Sequence, residues 1–291
     1  MINKIQSWFI FLFGVILLCS LSCRKQAAVE YPEFNPAPVI NAFIAADSLI
    51  RVHVSVAEKS DTNELKGNDN ARVVLYINGT AADTLLPSGG GLYISSVKAE
   101  ISKTYECRVS LPYFDEARSI TTVPAAPVVY GITHIPAAGK DEEGLTYPAV
   151  KFTFSNHPDI KMYFEVRIHV LRYGTDLVAE PFNLTDPVLL NEGLPLNLFS
   201  NETITDTCYT MVVNHRSGGS NNVYPYVLEL RAVSYDYYRF VKQKYLYDAG
   251  RFPEFGLGST QAFSLYSNVV NGYGIFAAFS TVISDTISPS N

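Results

Sequence analysis

The side chains able to do chemistry are few and scattered. His53, His134, His157, His169 and His215 form no HExxH or H-x-H pair and neighbour no cysteine, so their spacing supports no metal site. Gly256–Gln261 (GLGSTQ) has the glycines of a nucleophile elbow but lacks its central serine. Asp141, Glu142 and Glu143 follow Gly139 and Lys140 without the D-x-D-x-D spacing of a calcium loop, and a solvated loop is expected. Nothing in the sequence places Asp159 and Glu165 on one surface as an acid–base pair. Gly272-Tyr273-Gly274-Ile275-Phe276-Ala277 fits G-x-G-x-x-G/A, the fingerprint of a pyrophosphate loop. That fingerprint works only where a helix leaves the glycines and aims its amides at the phosphates. Here IFAAFSTVIS leaves them, and its β-branched and aromatic residues favour a strand. A tight turn at Asn271-Gly272 and a bulge or close backbone approach at Gly274 are expected instead. The expectation is a protein with no catalytic residues, no metal and no cofactor.

The elements that would position these residues begin with a signal. Lys4 precedes an apolar run of 11 residues, Trp8–Leu18, too short for a bilayer span and suited to a signal-peptide core. Cys23, with Leu21 and Ser22 before it, is the expected lipid-bearing residue, whereas Cys19 follows the bulky Leu18. Residues 1–22 are thus a lipoprotein signal peptide and 23–37 a tether. Removing the signal with its single Lys4 from 22 basic and 28 acidic residues leaves a charge of −7. That balance favours neither nucleic acid nor a polybasic grip on anionic lipid. The expected address is the outer membrane, lipid-anchored on its periplasmic or outer face. Cys107 and Cys208 could pair in an oxidising compartment. Cys107 alternates with Tyr105 and Val109 on an apolar strand face and Cys208 lies far along the chain, which favours two buried thiols.

Apolar residues otherwise recur with a strand's period. Ile50, Val52, Val54 and Val56 alternate with Arg51, His53 and Ser55; Phe164, Val166, Ile168 and Val170 alternate with Tyr163, Glu165, Arg167 and His169. Asn78-Gly79 predicts a type I′ hairpin. An antiparallel sandwich is expected over 38–123, the proline-marked VPAAPVV (Val123–Val129) as a boundary, and a second β-rich, sandwich-like domain over 124–291. One helix near 235–248 interrupts the β pattern, capped by Ser234 and closed by Gly250. Its Tyr238, Val241 and Tyr245 form one stripe and Tyr237, Phe240 and Tyr247 fall on other faces, in keeping with a plug over the β-domain.

PVINAFI, LIRVHVSVA, GGGLYISS, LELRAVSYDYYRF and SNVVNGYGIFAAFS follow one another after the lipoprotein signal. In that order they resemble the Bacteroidota outer-membrane lipoprotein family known as domain of unknown function 4249, over nearly all of the mature chain. The resemblance implies an immunoglobulin-like N-terminal sandwich, a second β-rich domain and genes lying beside TonB-dependent transporters; it carries over no catalytic residue. Arg24, Lys25 and Gln26 stand where surface-exported lipoproteins of that phylum carry acids. Asp47-Ser48-Leu49, Asp83-Thr84-Leu85 and Asp285-Thr286-Ile287 resemble its periplasmic O-glycosylation acceptors. The expected function is a non-enzymatic accessory or cargo-binding partner of a TonB-dependent transporter. A stand-alone glycan- or peptide-binding lipoprotein using some of the 19 tyrosines, a structural or adhesion protein, and a hydrolase assembled from separated loops are the alternatives.

Overall fold

The alternating segments become strands that lay their even-numbered residues on one face and their odd-numbered residues on the other. A computed structural model describes residues 35–58, 66–140, 144, 146–172, 176–180, 182–215, 225–251 and 265–288. The first half contains β1 (Pro38–Ala45), β2 (Leu49–Val56), β3 (Arg72–Ile77), β4 (Thr80–Thr84), β5 (Leu86–Gly89), β6 (Leu92–Lys98), β7 (Thr104–Ser110) and β8 (Ala117–Thr122). Then come β9 (Val129–Lys140), β10 (Thr146–Ser155), β11 (Tyr163–Arg172), β12 (Asp176–Glu180), β13 (Phe182–Asn183) and a short helix α1 (Pro187–Asn191). The chain closes with β14 (Leu198–Ser200), β15 (Cys208–His215), β16 (Tyr226–Val233), α2 (Tyr235–Arg251) and β17 (Tyr273–Ile283).

One nine-stranded sheet, ordered β12-β11-β16-β17-β1-β2-β6-β5 with β14 beside β11, backs two four-stranded sheets, β4-β3-β7-β8 and β13-β15-β10-β9. The even residues of β1, β2, β11, β16 and β17 face both. Ile40, Ala42, Ile44, Val52, Val54, Phe276 and Ala278 pack with Val73, Leu75, Tyr105, Cys107 and Val109 in one core. Phe164, Val166, Ile168, Leu228 and Leu230 pack with Phe152, Phe154, Met211 and Val213 in another. The fold is mainly β and sandwich-like, as the alternation predicts. The expected hairpin is present: Ile77 pairs with Thr80, and Asn78 (φ 49°) and Gly79 (φ 83°) both hold the left-handed backbone of a type I′ turn.

The expectation of successive domains over 38–123 and 124–291 assigns β17 to the second alone. This last strand inserts between β16 and β1, parallel to β1 from Val39↔Tyr273 to Ala45↔Phe279 and antiparallel to β16. Phe276 and Ala278 thereby complete the first core from the far end of the chain. Residues Pro36–Asn291 consequently form one compact unit. The parallel pair also departs from the wholly antiparallel sandwich expected. Such pairing is invisible to local sequence because its partners lie more than 230 residues apart.

Gly274 shows why the start of β17 needs glycine. Its φ is +108°, and a Cβ there would stand 2.1 Å from the carbonyl oxygen of Ile40 on β1. The glycines of the apparent dinucleotide fingerprint therefore serve strand entry, and a strand, not a helix, follows them.

Candidate functional site

The odd face of the long sheet carries charge where it is most covered. On β11 and β16, Glu165 lies opposite Arg231 and Arg167 opposite Glu229. Glu165 is only 5% exposed and Glu229 7%. Burying such carboxylates costs several kcal/mol unless they are paired, and both are. Glu165 accepts from Arg167 at 2.9 Å, from the Tyr237 hydroxyl at 2.9 Å and from Arg231 at 3.4 Å. Glu229 binds Arg231 at 2.6 Å and His169 at 2.7 Å. Burial works against ionising Glu229, but His169 and Arg231 overrule it and hold the carboxyl below its ordinary range. Burial and the neighbouring Glu165 push the Tyr237 phenol up to about 12, so it stays a hydrogen-bond donor.

Helix α2 covers this band. Ser234 caps it, accepting from the Tyr237 and Ala278 amides, which ties the helix start to β17. The residue turned furthest inward is Tyr237, 6% exposed and edge-on to Phe43 at 5.1 Å, not the predicted stripe of Tyr238, Val241 and Tyr245. The reason is specific: its hydroxyl is needed by Glu165, which a helical wheel cannot register. Tyr238 instead binds Glu192 and lies tilted against Tyr163 with ring centroids 4.6 Å apart, while Lys242 joins Glu192 at 2.8 Å. The helix is a plug, as expected, held by the Lys242–Glu192 ion pair and by tyrosine hydrogen bonds as well as by apolar contact.

Beside the helix start, a cleft of about 660 Å³ opens between the two sandwiches. Ile120, Thr121 and Thr122 of β8 form one wall, and Ile160, Met162 and Tyr163 with Tyr235 form the other. Ile120 (58%), Ile160 (61%) and Tyr235 (45%) leave large apolar surface facing solvent there. Thr121 is buried, and its hydroxyl has no hydrogen-bond partner among the described residues. A second, more polar hollow of about 640 Å³ lies between Pro36, Tyr113, Asp115 and Tyr273. Tyr113 is fully exposed at φ +71°, a costly backbone for a bulky residue, and Tyr273 is half exposed.

The other sequence candidates fall as follows. Cys23, Gly256–Gln261 and the acids 141–143 lie outside the described residues. Cys107 is buried, and burial pushes its thiol up to about 12. Cys208, expected to be buried, is exposed at the start of β15, because it shares the outward side of the strand with Thr210 while Tyr209, Met211 and Val213 turn to the core. Both are free thiols. His53 meets the Gly90 carbonyl and His157 lines the larger cleft, so these two do not converge. No group of three or more potential metal ligands occurs among the described residues. None of their helices is long and apolar enough to cross a membrane. Ser48, Thr84 and Thr286 of the three acceptor-like tripeptides are all exposed. Sequence reading missed both clefts, because each is assembled from segments far apart in the chain.

Fold and clefts together define a mainly β protein of two sandwiches on a shared sheet, with an apolar cleft between them. Residues 25–283 match the family described as Domain of unknown function (DUF4249), and the chain belongs to that family. No curated protein matches it.

Proposed function

We propose that this is a non-enzymatic, lipid-anchored outer-membrane protein, attached through Cys23, that acts as an accessory or cargo-binding partner of a TonB-dependent transporter. The observation that carries the reading is the apolar cleft between the sandwiches, large enough for a segment of another molecule. The buried carboxylates nearby are each engaged by two or more donors, which suits a rigid platform better than proton transfer. The signal and the Cys23 context support the membrane anchor, and the gene neighbours that the family resemblance implies support the transporter. Affinity purification of the native lipoprotein from detergent-solubilised outer membrane is expected to recover a TonB-dependent transporter. Purification without one sinks the proposal.

The second hollow favours a different reading, a stand-alone glycan-binding protein. Tyr113 and Tyr273 offer two exposed aromatic faces beside Asp115, an arrangement that suits a sugar. Binding on a glycan array that is lost in Tyr113→Ala and unaffected by changes in the apolar cleft would favour it over the first.

A further inference from the structure

The apolar cleft is bounded by more than side chains. Across the outer edge of β8, Arg118 donates to the Val270 carbonyl at 3.1 Å and accepts from its amide at 2.8 Å. Strand geometry has a period of two, so the N–H and C=O groups of Ile120 and Thr122 point to that same outer edge. The inner neighbour agrees: Thr104, opposite Thr122, spends its carbonyl on the Asn78 amide and its amide on the Asn78 side chain. The chain that pairs with Arg118 does not continue along the edge. Asn268 is drawn off to β17 by two hydrogen bonds with Phe276, and its carbonyl takes the Ser119 hydroxyl. At the other end Val123 turns back to Lys103, and Pro124 has no N–H to offer. A strand shows alternate side chains to either face, so three consecutive residues, 120–122, can line one cleft only where it meets their main chain.

We infer that this edge is a docking slot for an extended peptide segment of a partner protein, which adds itself to β8 beside Ile120–Thr122. The inference deepens the reading of the cleft as a partner site and rests on it. The chemistry selects the occupant. A purely apolar ligand would bury the outward amides and carbonyls of Ile120 and Thr122, which have no backbone partner among the described residues, and that is unfavourable. An extended backbone supplies donors and acceptors at the required spacing, and its alternate side chains reach the apolar wall of Ile160, Met162 and Tyr235. The slot is short because Val270 fills one end and Pro124 ends the other, so three or four residues are engaged.

The test is to pan the full-length chain in detergent against a phage-displayed library of random linear twelve-residue peptides. Enriched peptides are expected to alternate apolar residues, to slow amide exchange over 120–122 and to bind about tenfold more weakly to Ile120→Pro. The proline removes the outward N–H and no hydrogen bond to β7, and circular dichroism checks that its fixed backbone angle leaves the variant folded. N-methylating alternate residues of an enriched peptide should weaken it in one register and not in the other, with the protein unaltered. Failure to enrich, protection elsewhere, or indifference to both changes overturns the inference. The proposed function is judged separately. A transporter recovered equally with wild type and Ile120→Pro overturns the slot and leaves the function standing. Recovery with neither sinks the function, and the peptide measurements alone then decide the slot.

Discussion

Glu192 condenses how this molecule uses charge. Its carboxylate accepts from the Ser200 amide at 2.6 Å, from Lys242 at 2.8 Å and from the Tyr238 hydroxyl. Burial opposes its ionisation, yet Lys242, Tyr238 and Ser200 together hold its carboxyl below the ordinary 4.5. Burial likewise opposes the charge on Lys242, but Glu192 and Tyr238 raise it above 10.5. A depressed carboxyl contributes stability that is complete above its unfolded value and is lost as pH falls through the folded one. A raised ammonium contributes stability that is complete below its unfolded value and is lost as pH rises through the folded one. Glu192→Ala is therefore expected to cost about 3 kcal/mol near neutrality, because Lys242 and the Ser200 amide lose their partner. In urea titrations the gap to wild type should stay level between roughly pH 5 and 10 and narrow on both sides. A gap independent of pH throughout would mean that packing, not charge, ties α2 to this corner.

The elements were legible where their signal is local. Alternation marked β2 and β11, Asn78-Gly79 marked its hairpin, and Ser234 and Gly250 bracketed the helix, although it runs on to Arg251. Alternation also placed Glu165, Arg167 and His169 on one face. It could not say that the face is covered, since Tyr237 reaches Glu165 from 72 residues away. The clefts were illegible for the same reason. Two changes probe the elements. Gly274→Ala must displace the Ile40 carbonyl and adopt φ +108°, so it should cost about 3 kcal/mol and loosen β17 from β1. Faster amide exchange over 39–45 would report that loosening. Ser234→Ala removes a helix cap and an acceptor for the Ala278 amide, and a loss of about 1–2 kcal/mol in thermal unfolding is expected.

At the scale of the whole molecule, the shared sheet decides cooperativity. Two independent sandwiches would melt separately, whereas β17 gives side chains to the first core and hydrogen-bonds to the second half's β16. Calorimetry should thus record one transition whose van't Hoff and calorimetric enthalpies agree. Two resolved transitions would show that the halves uncouple despite the common strand. A fragment ending before Val269 should expose the first core, because it lacks Val269, Phe276 and Ala278. Dye binding to that fragment, absent from the whole chain, is the corresponding measurement.

The parallel pairing of β1 with β17 also sets an order of events. Synthesis delivers β1 first and its neighbour almost last, so for most of the chain's emergence one edge of β1 waits for a strand that does not yet exist. Native contacts between such distant residues form slowly, and an unpaired apolar strand invites wrong partners while it waits. Pulse-labelled amide exchange during refolding should find β1 among the last strands protected on its β17 side, with β3 and β7 protected early. The step that completes the first half would then be the arrival of a strand made more than 230 residues after β1.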